Sequence, residues 1–224
     1  SIFGIDLGKY VAADKKKSIF KKASCTFKMN GDLDKLTVTI PEATVDASEL
    51  KGNIGFIKNE GKTFTIADIQ ANKVLFDRYM EVLPPELKNA SLEKKIVHQF
   101  NMIPWNHALN VDARVTLDSA VYNKVPLERV LLEFKTTENT LKVEKLSIEN
   151  MAGASLQLSL DASNIYVSPF FNELSYDVKT ANLPQLTAAL GIDNGKKSLF
   201  SRKIFAAQGA LNGPLNDLKL SSVQ

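Results

Sequence analysis

Few side chains in this chain of 224 residues are of a kind that does chemistry, and their spacing decides how they read. There are two histidines, His98 and His107, and one cysteine, Cys25. An imidazole can serve as general acid, general base or metal ligand, and a thiolate as a nucleophile. One thiol and two imidazoles do not furnish a structural zinc site, and a lone cysteine forms no disulfide within the chain. Neither histidine has a serine or cysteine motif around it. The nucleophile elbow, P-loop, dinucleotide fingerprint and His-Glu zinc motif are all missing. His107 and its neighbour Trp105 read as a surface or edge pair, with Trp105 either a core anchor or a membrane-facing ring. Asp112 and Asp118 are wet positions of a strand, which alternation explains without a site. Cys25 falls on an apolar phase and reads as a buried small hydrophobe. Asn89-Ala90-Ser91 has the form of a glycosylation acceptor, a triplet that also arises by chance. The reading is of a protein that is not an enzyme and calls for no cofactor and no metal.

What the chain does contain is strands. From Leu109 to Asp118 apolar and polar residues alternate without an error, with Leu109, Val111, Ala113, Val115 and Leu117 on one side. Alternate strand residues point to opposite faces, so this segment has one apolar face and one wet face. Ala23, Cys25, Phe27 and Met29 alternate in the same way before an Asn30-Gly31-Asp32 turn, and Leu36, Val38 and Ile40 return to Pro41, which closes the strand. Ala43, Val45 and Ala47, then Ile54 and Phe56, continue the pattern to a hairpin tip at Asn59-Glu60-Gly61-Lys62. Phe64 and Ile66 follow, with a phase slip at Ala67 as at a bulge. Asn72 reads as the N-cap of a helix carrying Val74, Leu75, Tyr79 and Leu83 on one face and stopped by Pro84-Pro85. Later strands carry Leu132 and Phe134, Leu141 and Val143, Leu156, Leu158 and Leu160, and Leu174, Tyr176 and Val178. A phase slip precedes Leu146, and Gly153 makes a break. Asn182-Leu183-Pro184 opens a second short helix, with Gly191 as its C′ residue. Tight turns join neighbours, so the strands should pair mostly antiparallel.

The two ends of the chain echo one another. Lys16-Lys17-Ser18-Ile19-Phe20 resembles Lys196-Lys197-Ser198-Leu199-Phe200. Further on, Ala23, Cys25, Phe27 and Met29 fall on Phe205, Ala207, Gly209 and Leu211, and Asn30-Gly31 on Asn212-Gly213. Ala71-Asn72 and Ala181-Asn182 form a second echo, each with a strand feeding a short helix. These repeats argue for a recurring hairpin architecture.

Composition sets the outer limits. Hydrophobic residues make up 44% and charged residues 24%, the balance of a chain able to bury a core. The net charge of +3 is spread out; Lys15-Lys16-Lys17 with Lys21-Lys22 reads as a solvated loop or edge, and no nucleic acid partner is expected. No run approaches the ~18 apolar residues of a membrane span. Ser1 opens in what reads as the middle of an element, so the expectation is a piece of a longer protein. It forms a single repeating region over 1–224, with sub-units of about 1–105 and 106–224.

Order and phase together resemble the AsmA family over nearly the whole chain. Glu49 to Phe56 followed by Ile69 to Tyr79 is similar to that family's strand-then-helix unit. Val125 to Val130, Thr137 to Leu141, Leu146 to Ile148 and Met151 to Leu156 are similar to its series of strands and charged or glycine turns. Ala181 to Gly191 resembles its leucine-rich helix. Gly153-Ala154 stands where the family has two glycines. The resemblance implies a mainly β fold: curved antiparallel sheet forming an apolar groove or an incomplete barrel or sandwich, with two to three short helices. It further implies a periplasmic segment of a protein anchored in the inner membrane of a Gram-negative bacterium. Such a segment would carry phospholipid or another lipid in its groove, support outer-membrane biogenesis, pair with adjacent repeats, and meet the membrane only through the parent's anchor. The candidate groove lining is Val111, Ala113, Val115, Leu117, Leu132, Phe134, Val143, Leu156, Leu158 and Leu160. The alternative is a structural envelope scaffold, or an outer-membrane assembly partner, in which the same residues fill a closed β core.

Overall fold

Hairpin turns and alternating strands assemble into one sheet. The computed structural model describes residues 22–79, 109–122, 124–165, 168–189, 204–215 and 217–223. Within them β1 (Ala23–Gly31), β2 (Lys35–Val45), β3 (Ser48–Asn59) and β4 (Lys62–Leu75) lead into a single helical turn, α1 (Phe76–Tyr79). Then come β5 (Leu109–Tyr122), β6 (Val125–Thr137), β7 (Thr140–Met151), β8 (Ala154–Ser163) and β9 (Phe170–Thr180). Helix α2 (Leu183–Ala189), β10 (Phe205–Pro214) and β11 (Lys219–Val223) complete the order. All eleven strands lie in one curved, unclosed sheet in sequence order. Neighbours pair antiparallel except β4 and β5, which run parallel at the junction of the two expected sub-units. Among the described residues β1 pairs only with β2, and β11 only with β10.

The turns follow from residues that tolerate positive φ. Glu60-Gly61, Ala152-Gly153 and the single residues Lys124 and Glu138 carry φ between 47° and 80° at hairpin tips. The echo between the chain's ends is structural as well. Gly31 and Gly213 have φ of 138° and 117°, and Asn30 pairs with Thr37 as Asn212 pairs with Lys219. A Cβ on Gly31 would lie 2.0 Å from the Lys35 carbonyl oxygen, and one on Gly213 would lie 2.7 Å from that of Asp217.

Several expectations are corrected. In place of two to three short helices, the described residues hold one, α2, and the single turn α1. Asn72 is not an N-cap. It lies inside β4, where its side-chain oxygen accepts from the Glu49 N–H at 2.9 Å and its amide donates to the Glu49 carboxylate at 3.1 Å. Asn182 does cap α2, accepting from the Gln185 N–H at 3.2 Å. Pro41 does not close β2 but sits in it, where the ladder skips between Ile40 and Ala43 and no N–H is required. Val45 and Ala47 are not one strand, because Asp46, at φ 54°, turns the chain between them. No bulge lies at Ala67: β3 and β4 keep register throughout, and Phe64 and Ile66 point to the wet face. Leu83, Pro84-Pro85, Asn89 to Ser91, His98, Trp105, His107, Gly191 and the Lys16 and Lys196 pentapeptides lie outside the described residues.

Gly31→Ala should destabilise the protein by about 1–3 kcal/mol, since its φ and its contact with Lys35 both exclude a side chain. Gly61→Ala, at an open αL position, should cost about 1 kcal/mol. Urea unfolding of the two variants reads the difference.

Candidate functional site: an apolar trough

Register carries one apolar face across the whole sheet. Residues opposite one another in a ladder share a face. Starting from Ala113, one row runs Met29, Val38, Ile54, Ala67, Ala113, Phe134, Val143, Leu160, Leu174, Leu211, Leu220. Each of the eleven strands contributes one residue, and none is polar. A second row joins Cys25 through Ala43, Leu50, Ala71, Leu117, Val130, Ile148, Leu156 and Val178 to Ala207. A third lies between them, from Ile40 by way of Val115, Leu132, Leu146 and Leu158 to Tyr176. All ten candidate lining residues therefore lie on one face.

Holding that face together requires a local device. In β4, β5, β6 and β7 the residues Asn72, Asp118, Arg129 and Glu149 stand side by side, and the ladder pairs resume on either side of them. Each strand spends two successive polar residues there, and each then resumes its apolar run on the same side. That is why Ala120 packs beside Leu117, and Leu127 beside Val130, despite spacings that strict alternation would send to opposite faces. The Ser119 hydroxyl donates to the Asn72 carbonyl at 3.1 Å, Arg129 takes φ 50°, and its guanidinium pairs with Glu149. The alternation that begins at Leu109 stops after Asp118 for this reason, while the strand continues to Tyr122.

Burial distinguishes a trough from a filled core. At one end of the strands Ala71, Leu117, Ala120, Val130 and Ile148 are buried together. On the same side Leu183 and Leu186 of α2 pack on Ala154. At the other end Ile165 and Leu215 fold over Leu141, Ala162 and Phe171. The row between these walls, from Ile40 through Val115, Leu132, Leu146 and Leu158 to Tyr176 and Gly209, is half-buried along its entire length. Of the ten candidate residues only Ala113 and Leu117 are fully buried. The trough runs across the strands, about 48 Å over ten strand spacings at ~4.8 Å each.

The opposite face is charged and self-paired. Asp68, Arg114, Glu133 and Lys145 form an alternating row by register, with Arg114 and Glu133 at 3.6 Å. Lys135 reaches Glu144 at 3.1 Å and Asp112 at 3.4 Å, and hydrogen bonding to Glu144 holds its ammonium above the usual lysine value. Lys62 beside Glu138 holds that carboxyl below its ordinary 4.5, so their tie is present at neutral pH and lost as acid protonates Glu138. These groups are solvent-exposed and add little to stability. Their effect is to keep this side wet, so the two faces cannot exchange roles.

Ile57, Phe64 and Ile66 were missed as wet-face residues; only the partner strands' register reveals them. Comparison with models of known protein families, with curated proteins and with solved structures found no match to the chain.

If the middle row is open, truncation there should cost little. Ile148→Ala should destabilise by about 2–5 kcal/mol, as for a packed core. Leu158→Ala should cost about 1 kcal/mol, in keeping with half burial. Equal losses in chemical denaturation would mean a filled core instead.

Proposed function

We propose that the trough holds the acyl chains of lipid, and that this chain is a non-enzymatic lipid-binding and lipid-transfer segment. The observation that supports the reading is the uninterrupted apolar row over eleven strands, bordered by a row that protein leaves half-uncovered. Apolar surface left in water is costly, and each methylene it receives from a lipid tail is worth about 0.8 kcal/mol. A bilayer's hydrocarbon core, two tails deep, is ~30 Å thick, so a tail laid across the strands covers about a third of the trough. The three rows named above carry no charged side chain, which suits a surface along which tails slide.

With the resemblance to the AsmA family, the occupant is phospholipid, and the setting is the periplasm of a Gram-negative bacterium. The parent is anchored in the inner membrane and supports outer-membrane biogenesis, with adjacent repeats extending the trough. Among the described residues β1 and β11 each pair on one side only, which favours a second reading, a scaffold that joins neighbouring repeats or an assembly partner by strand pairing.

Photo-crosslinkers placed at Val115 and Leu158 in cells should label lipid, while wet-face Arg114 and Gln157 should not. Equal labelling of both faces, or none at Val115 and Leu158, contradicts the proposal.

A further inference from the structure

The apolar face deepens at its β1–β4 end into a hollow of about 320 Å³. Its cause is local. The β1–β2 ladder shifts between Thr26 and Lys28, and the β2–β3 ladder shifts between Ile40 and Ala43, so two bulges coincide. At that place the chain sets small Cys25 opposite small Ala43, ringed by Phe27, Ile40, Leu50 and Ile69. Ser24 and Lys51 also border the hollow, but they occupy the alternate strand positions, whose side chains point to the wet face. The side chains turned into it are aliphatic, aromatic or thiol, with no charged group to hold a head group. The hollow is continuous with the trough, because Leu50 is joined through Ala71 to Leu117, and Ile69 pairs with Val115. With a water's ~30 Å³ as yardstick, it has room for roughly ten methylene-sized groups, which is one chain and not two.

We propose that this hollow takes the terminal part of a single acyl chain, whose polar head lies outside it along the trough. The proposal rests on the lipid reading above and names a position within it. The cysteine in its wall gives a direct readout. Cys25 is half-buried, so a thiol reagent reaches it while the hollow is open to solvent, and a chain in place shields it.

N-ethylmaleimide alkylation of Cys25 would be timed in the intact chain with and without palmitate. At about ten times the palmitate Kd, the rate should fall about tenfold, with hexanoate at the same concentration giving much less protection. Ala43→Phe, which fills the hollow, should abolish protection by palmitate while lipid labelling from a crosslinker at Leu158 persists. If that variant loses its far-ultraviolet circular dichroism, Ala43→Leu is measured in its place. An unchanged alkylation rate while Leu158 still labels lipid overturns the hollow and leaves the trough standing. Loss of Leu158 labelling in the unsubstituted protein, together with no binding of palmitate, overturns the lipid reading itself.

Discussion

The structure depends on keeping a single apolar face continuous through changes of strand phase. A side-chain period of two means that one extra residue sends every later side chain to the wrong face. Among the described residues the eleven strands form one open sheet, with no second sheet to absorb such an error. The row at Asn72, Asp118, Arg129 and Glu149 answers this by placing the extra residue in four neighbouring strands together. Buried Ala71, Leu117, Ala120 and Val130 then share one cluster although their strands change phase between them. The bond from Ser119 to the Asn72 carbonyl and the Arg129–Glu149 pair fasten the row on its polar side.

From that constraint the trough's shape follows. The strand ends are closed by hydrophobic packing, with α2 on one side and Ile165 and Leu215 on the other. Packing between them would require a second layer, and the side chains of the middle row remain half-buried. Across β5 to β7 the opposite face is charged and satisfied by cross-strand pairs, while Ile57, Phe64 and Ile66 stand on it at β3 and β4. Stability is therefore concentrated at the two walls, while the floor has apolar surface to spare for a ligand.

Much of this was legible in the residues. The alternation from Leu109 to Leu117 and the run Leu156, Leu158, Leu160 placed their side chains on one side, and Asn30-Gly31, Glu60-Gly61 and Gly153 marked their turns by positive-φ chemistry. The bend at Asp46 was hidden because no glycine, asparagine or proline marks it; aspartate tolerates the same conformation without standing out. Asn72 was misread because an asparagine side chain that caps a helix can equally accept from a neighbouring strand. The phase slip at Ala67 was misread as a bulge because β4 carries apolar residues in both phases, and only its register with β3 and β5 decides their faces. The parallel pairing of β4 with β5 left no local signal, since turn chemistry speaks only of consecutive hairpins. The hollow at Cys25 was out of reach for the same reason: it arises where two bulges on different strands meet.

The central claim is that the half-covered floor is occupied by lipid tails. Organic extraction of the protein purified from cells without added lipid, followed by mass spectrometry, tests it most directly. The account predicts phospholipid recovered in a fixed proportion to protein. A folded protein that yields none, with unfolding unaltered by added phospholipid vesicles, would contradict it.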